Sequence, residues 1–240
     1  MQLAGCAALV TGAGRGIGRA LADALAAEGA RLILAGRTAA RLEEAAAALR
    51  ARGAPAEIVA GDVGEEADAA RMVGAALERF GRLDVLVNNA GVGALGTLEE
   101  TDPATFDRLY RTNVRGPFLL MRAAIPAMRR QGGGTIVNMA SLAAVNAVPR
   151  RAAYAATKWA LLGMSRSVLQ EVRAAGIRVV VVEPGSTWTE FGHEPAKRQE
   201  AHKFLRPEDV AAAVVAALKL PDRATVSEIE IRPTDPPAGS

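Results

Sequence analysis

The sequence predicts an α/β protein: a doubly wound parallel sheet of about seven strands with helices on both faces. Three observations carry that expectation. Short apolar runs alternate with helix-like segments from one end of the chain to the other. The runs are continuous rather than alternately apolar and polar, as strands covered on both faces require. The first run feeds a glycine-rich turn that opens a helix, the local plan of a strand–turn–helix unit in an open parallel sheet.

The elements follow in order. CAALV is the first strand and Ile17 to Glu28 the first helix. RLILAG is the second strand. Thr38 is placed to cap the next helix, which carries Leu42, Ala45, Ala46 and Leu49 on one face. AEIVA, LDVLV, TIVNM and IRVVVV are further strands, separated by helical stretches at Glu65 to Phe80, Pro103 to Arg130 and Ala152 to Ala174. Pro207 to Lys219 is the last helix and SEIEIRP the last strand. No linker or internal repeat interrupts the pattern. Residues 1–233 read as one domain, and the Pro-rich 234–240 as a flexible tail.

Composition narrows the function. The 240 residues suffice for one full core, and half of them are hydrophobic. No apolar run approaches ~18 residues, so no membrane helix is expected. The start MQLAGCAALVTG lacks the charged opening and cleavage site of a signal peptide; a cytoplasmic location is expected. One cysteine, Cys6, and two histidines, His193 and His202, give no disulfide framework and no zinc spacing. No metal site is expected. The net charge of +3 is spread along the chain without a basic stripe, which argues against nucleic acid.

Two stretches carry chemistry. TGAGRGIG, Thr11 to Gly18, lies between a strand and a helix. There glycines let the backbone turn tightly and approach a phosphate, while the helix N-terminus offers N–H donors. The spacing is GxxxGxG, through Gly12, Gly16 and Gly18, with Arg15 and Ile17 between them. The second stretch, SLAAVNAVPRRAAYAATK, holds Ser141, Tyr154 and Lys158. Tyr154 and Lys158 stand four apart in a helical run, so they share a face. A nearby ammonium favours a phenolate, and a tyrosine tuned in that way can serve as general acid or base.

Taken with NNAG at Asn88 to Gly91, Asn113 and Pro184-Gly185, these motifs resemble, in order and over essentially the whole chain, the short-chain dehydrogenases/reductases. The resemblance implies a Rossmann-type sheet with a nicotinamide cofactor across the carboxyl ends of its strands. It implies that Gly12, Gly16 and Gly18 carry the pyrophosphate loop, and that Asp62 and Val63 meet the adenine; a helix cap is the structural alternative for Asp62. Asn88, Ala90 and Gly91 pass close to the cofactor, or serve only as a turn. Tyr154 is the implied acid/base, Lys158 the ribose ligand that lowers its pKa, and Ser141 the group that orients the substrate oxygen. Asn113 is implied to hold a water that links Lys158 to solvent, with a local helix kink as the alternative. Pro184, Gly185 and Thr189 fit the stretch near the nicotinamide amide, with Thr187 as the alternative threonine.

The implied cofactor is NADP(H) in preference to NAD(H), which remains possible. The second strand ends in Gly36 and Arg37 without the carboxylate that an NAD site uses to hold the ribose 2′-hydroxyl. Arg37 and Arg15 are suited to a 2′-phosphate; solvated arginines are the alternative. The expected partner is a small carbonyl or alcohol. The alternatives are a 3-oxoacyl-carrier-protein reductase and a cofactor-binding sensor, although sensors often lack one of the four catalytic residues. A lid is expected over 186–206, with Trp188, Phe191, His193 and Phe204 in it. Arg150 and Arg151, before the active-site helix, either meet an anionic substrate or carrier protein or stay solvated or subunit-facing. A homo-oligomer, a tetramer or else a dimer, is expected through the two long helices.

Overall fold

The computed structural model describes residues 1–191 and 202–236. The strands are β1 (Ala7–Thr11), β2 (Arg31–Gly36), β3 (Ala56–Ala60), β4 (Val85–Asn88), β5 (Gly134–Met139), β6 (Ile177–Pro184) and β7 (Glu228–Ile231). They form one sheet in the order β3-β2-β1-β4-β5-β6-β7. Every neighbouring pair is parallel.

The continuous apolar runs are explained by what covers the sheet. On β1, Ala8 and Val10 face one layer while Leu9 faces the other, and all are fully buried. The first layer is built by α1 (Gly16–Ala27), α2 (Ala39–Ala51) and α7 (Pro207–Leu218), through Leu21, Leu25, Leu42, Leu49 and Val214. The second is built by α3 (Glu66–Phe80), α5 (Gly116–Arg130) and the C-terminal half of α6 (Ala152–Val172), through Met72, Leu120, Met128 and Val172. Each such side chain removed from water contributes about 1.5–3 kcal/mol, so a strand residue of either parity is held.

The remaining helix, α4 (Pro103–Tyr110), leads into a departure from the sequence expectation. The stretch from Pro103 to Arg130 is not one uniform helix: residues Arg111–Arg115 form a π turn between α4 and α5. Asn113 sits inside it, 1% exposed. A π turn widens the helix at one point and is commonly tied to a local function. Thr38 does stand at the N-cap of α2, but its hydroxyl makes no capping hydrogen bond. Asp62 is not a cap either. Helix α3 begins at Glu66 behind the N-cap Glu65, while Asp62 Oδ1 accepts from Gly64 N at 2.9 Å and steadies the turn after β3.

The order of the sheet places the site. From β1 the chain passes outward to β2 and β3, then returns to β4 on β1's other side. The loops after β1 and β4 therefore diverge at their carboxyl ends and leave a crevice between them.

Candidate active site

The crevice is held open by direct bonds between those two loops. Thr11 Oγ1 donates to Val87 O at 3.1 Å and accepts from Asn89 N at 3.0 Å and Ala90 N at 3.1 Å. Asn89 Nδ2 donates to Thr11 O at 2.9 Å. Gly12 has φ +65°, and a Cβ there would lie 2.9 Å from Asn89 Nδ2 and 3.0 Å from Ala90 Cα. Gly18 is tighter, since a Cβ would meet Gly12 O at 2.3 Å. Its glycine lets α1 press against the turn and aim its N-terminus into the crevice.

The resulting cleft of about 760 Å³ begins at Gly36, Arg37 and Asp62 and ends at Ser141 and Tyr154. Of the residues expected at a cofactor, Gly12, Arg15, Gly16, Ile17, Arg37, Asp62, Val63, Ala90, Gly91, Tyr154, Lys158, Pro184, Gly185, Thr187 and Thr189 line it. Gly18 and Asn88 do not. Gly18 acts through packing, as above. Asn88 is 2% exposed and donates to Asn138 Oδ1 at 2.7 Å; Asn138 in turn donates to Ser165 Oγ at 2.8 Å. This buried chain ties β4 to β5 and α6, and the cleft wall falls one residue later, at Asn89. Successive side chains turn to opposite sides here, so Asn88 is carried to Asn138 and Asn89 to the cleft.

At the reacting end, Tyr154 and Lys158 are 6% and 5% exposed on one face of α6. Lys158 Nζ donates to Met139 O at 2.8 Å and lies 5.7 Å from the centre of the Tyr154 ring. Burial lowers its pKa to about 8. The sequence expectation was that this ammonium would lower the tyrosine pKa. The structure corrects that: burial raises the Tyr154 pKa, and the forces pulling it back are a hydrogen bond with Ser141 and then the charge of Arg151. The ammonium is engaged by the Met139 carbonyl, and its charge is not among the forces acting on the phenol.

Ser141 follows β5 and caps a short 3₁₀ turn (Leu142–Ala144), accepting from Ala143 N at 3.2 Å. Asn113 does not line the cleft. Its Oδ1 accepts from Val92 N at 2.9 Å, and its Nδ2 donates to Val92 O at 2.9 Å and to Thr157 Oγ1 at 3.0 Å. The side chain thus clamps the loop after β4 to α6. Both Nδ2 hydrogens are used, and Oδ1 keeps one lone pair beyond the Val92 bond. The kink and the clamp coincide in one residue.

Both threonines after β6 face the cleft. Thr187 Oγ1 donates to Gly185 O at 3.0 Å, while Thr189 Oγ1 accepts from Phe191 N at 3.1 Å. A Cβ on Gly16 would lie 3.3 Å from the Thr189 methyl, so this segment lies against the glycine turn. The two described ends of the expected lid are joined: Trp188 N donates to Leu205 O at 2.7 Å, and the Trp188 and Phe204 rings meet edge-on at 5.4 Å. Phe191 packs on Tyr154 at 6.1 Å. His193 lies outside the described residues, as do 237–240 of the expected tail; Pro236 lines the cleft.

One acidic group was not anticipated. Glu190 Oε2 holds Arg15 at 2.5 Å and Arg41 at 3.2 Å across the mouth of the cleft. Arg41, on α2, was missed because nothing in sequence distinguishes it from a solvated helix arginine. Among the described residues, no group of His, Cys, Asp and Glu is arranged to hold a metal, and no helix is long and apolar enough to cross a membrane.

Comparison with known proteins agrees with this geometry. The family model for short chain dehydrogenases matches residues 6–200. A sepiapterin reductase of Chlorobaculum tepidum is 36% identical over 94% of this chain and 95% of its own. A metagenomic short-chain oxidoreductase solved with NADP superposes with a TM-score of 0.86 at 38% identity, covering 98% of this chain and 99% of that one. An alcohol dehydrogenase of the archaeon Thermococcus sibiricus, solved with 5-hydroxy-NADP, gives 0.88 at 32% identity, covering 95% and 97%. With the matched family spanning the strand-turn-helix opening, the loop after β4 and the Ser141–Tyr154–Lys158 cluster, this chain belongs to the short-chain dehydrogenases/reductases.

Proposed function

We propose that this protein is an NADP(H)-dependent oxidoreductase that interconverts a small ketone or aldehyde with its alcohol. The observation that carries the reading is one continuous cleft, with Gly12, Gly16 and an acid-free Arg37 toward one end and Ser141, Tyr154 and Lys158 at the other. The residues present fit a dinucleotide. The glycine turn leaves no Cβ between backbone and a pyrophosphate, and the N-terminus of α1 supplies donors. The NADP and 5-hydroxy-NADP in two similar structures support the phosphate-bearing form.

When bound, the nicotinamide supplies or accepts the hydride at the substrate carbon. The protein's part is position and proton. Ser141 Oγ and Tyr154 Oη converge on the substrate oxygen. In reduction, Tyr154 passes its proton to the nascent alkoxide while Ser141 donates a hydrogen bond to it. Burial raises the Tyr154 pKa, the direction that favours the neutral phenol. Lys158 would hold the ribose hydroxyls, and the Met139 carbonyl orients its ammonium in support of that role. Asn113 acts by holding Val92 and Thr157. Phe191, Phe204, Leu142 and Val148 line the reacting end and limit its water.

The test is a panel of carbonyls and alcohols assayed by absorbance of the reduced nicotinamide band. Absence of turnover with every substrate, despite measured NADPH binding, refutes the catalytic reading. A homo-oligomer belongs to the same proposal. Phe106 and Tyr110 on α4, Phe118 on α5 and Trp159 on α6 are 41%, 48%, 47% and 51% exposed, on the two long helical stretches expected to pair. Light scattering that returns the 24.9 kDa monomer at micromolar protein would reject it.

A further inference from the structure

The cations lining the cleft differ in what holds them. Arg15 and Arg41 share Glu190. Arg232 pairs with Glu230 at 2.6 Å. Lys158 is engaged by Met139 O. Among the described residues, Arg37, Arg151 and Lys158 of this group have no acidic partner, and of these three Lys158 alone is held by a main-chain carbonyl. The proposed cofactor accounts for Arg37. Arg151 acts on Tyr154 through its charge, as the last and smallest of the forces on that phenol, and no bonded partner is yet assigned to its guanidinium. The carboxylates that line the cleft are Asp62 and Glu190, and both are engaged elsewhere: Asp62 lies 3.4 Å from Arg111.

The local chain separates Arg151 from its neighbour. Arg150 has φ +61°, a left-handed conformation that costs a non-glycine residue energy. It is held there by an ion pair to Glu100 at 3.1 Å and by its carbonyl, which accepts from Gly96 N at 2.9 Å. Arg150 therefore turns to the outer loop, and the next residue turns into the cleft. Arg151 is the N-cap of α6, where a cation opposes the helix dipole, and it makes no capping bond. The first turn of α6 holds no acid to offset it. Helix stability therefore gives no reason for an arginine here, three residues before Tyr154. The same cleft is lined by the apolar Val148, Leu142, Phe191 and Phe204. Arg151 is half-buried at the cleft wall, where its guanidinium can make charge-assisted hydrogen bonds to an anion.

We propose that Arg151 anchors a carboxylate on the substrate, so that the protein acts on small oxo acids and the matching hydroxy acids. The guanidinium takes the carboxylate, and the carbonyl a few atoms away reaches Ser141 and Tyr154. This deepens the oxidoreductase reading and rests on it. Of the two arginines before α6, Arg150 is the ion-paired surface residue and Arg151 the substrate residue.

The test uses 2-oxobutanoate, acetoacetate and 4-oxopentanoate, each beside its methyl ester, with NADPH. The ester keeps the carbonyl and removes the charge. Wild type is expected to favour one of the acids over its ester. In Arg151→Gln the acid-to-ester ratio of kcat/KM should fall at least about tenfold, mainly through KM for the acid, as loss of a charge-assisted bond predicts. Arg151→Lys should keep an intermediate ratio, because charge remains while the planar fork is lost. A variant that loses acid and ester alike, with a shifted pH profile, would place Arg151's action on Tyr154 and overturn the anchor. So would an unchanged ratio, or wild type that reduces esters but none of the acids. Wild type that reduces neither series nor any other carbonyl refutes the oxidoreductase reading instead.

Discussion

Replacing Arg37 by Asp should reverse the cofactor preference, and the structure says why this arginine matters more than its neighbours. A 2′-phosphate carries about −1.5 to −2 charges at neutral pH. A charge-assisted hydrogen bond to it is worth about 1.5–3 kcal/mol, and exposure with salt screening pulls the figure to the low end. Arg37 is exposed, lines the cleft and has no ion-pair partner among the described residues, so it keeps that whole gain, roughly tenfold in Kd. Arg15 and Arg41 start from a different position. Both already hold Glu190, so a phosphate replaces a carboxylate rather than water. Their net preference should be only about threefold each, in the range of exposed ion pairs. Arg37→Asp removes the attraction and adds a like charge, a change of order 2–3 kcal/mol in the NADPH Kd, about thirty- to a hundredfold. NADH should lose little. Fluorescence titration of both cofactors against wild type, Arg37→Ala, Arg37→Asp, Arg15→Ala and Arg41→Ala decides it. Equal affinities in wild type, or an Arg37→Asp protein that still prefers NADPH, would refute phosphate reading by this residue. Arg15→Ala or Arg41→Ala costing more than Arg37→Ala would refute the exchange with Glu190.

Three further outcomes are expected. Tyr154→Phe should lower kcat by about 10²–10⁴-fold while NADPH still binds, checked by steady-state kinetics beside a cofactor titration; retention of a tenth of the activity would remove the phenol from the chemistry. Gly18→Ala should destabilise the fold by about 1–3 kcal/mol, since the new methyl meets the Gly12 carbonyl at 2.3 Å, and a thermal melt at unchanged midpoint would contradict the packing role. Glu183 on β6 is 0% exposed, neither carboxylate oxygen has a hydrogen-bond partner among the described residues, and burial followed by the charges of Glu228 and Glu230 raises its pKa to about 7, against the pull of Arg166 and Arg232. A raised acid pKa means that stability is fully present below the unfolded value and is lost as pH climbs toward 7, by at most about 3 kcal/mol; Glu183→Gln should flatten denaturant midpoints between pH 5 and 8, and an equal slope in both proteins would exclude this residue as the cause.

The parts that sequence made legible are those governed by local periodicity. Leu9 between Ala8 and Val10 reports a strand with two covered faces, because only that arrangement tolerates three apolar neighbours in a row. Thr11 to Gly18 reports a close turn, because a Cβ on Gly12 would meet the backbone of Ala90 and one on Gly18 the carbonyl of Gly12 itself. What stayed hidden depends on which way a side chain is carried by tertiary structure. Asn88 and Asn89 are the same residue type in adjacent positions, and only the pleat of β4 assigns one to the buried Asn138 chain and the other to the cleft. Arg150 and Arg151 pose the same problem, resolved by a left-handed backbone at Arg150 and by Glu100, fifty residues earlier in the chain. Lys158 shows the energetic version. Spacing puts it beside Tyr154, but the direction of the tyrosine shift follows from how deeply both are buried and from the Met139 carbonyl that takes the ammonium. Desolvation disfavours charge on either group, and no motif records it. The family pattern thus names the reacting atoms, while substrate selection rests on residues such as Arg151 whose meaning appears only when the loops that aim them are in place.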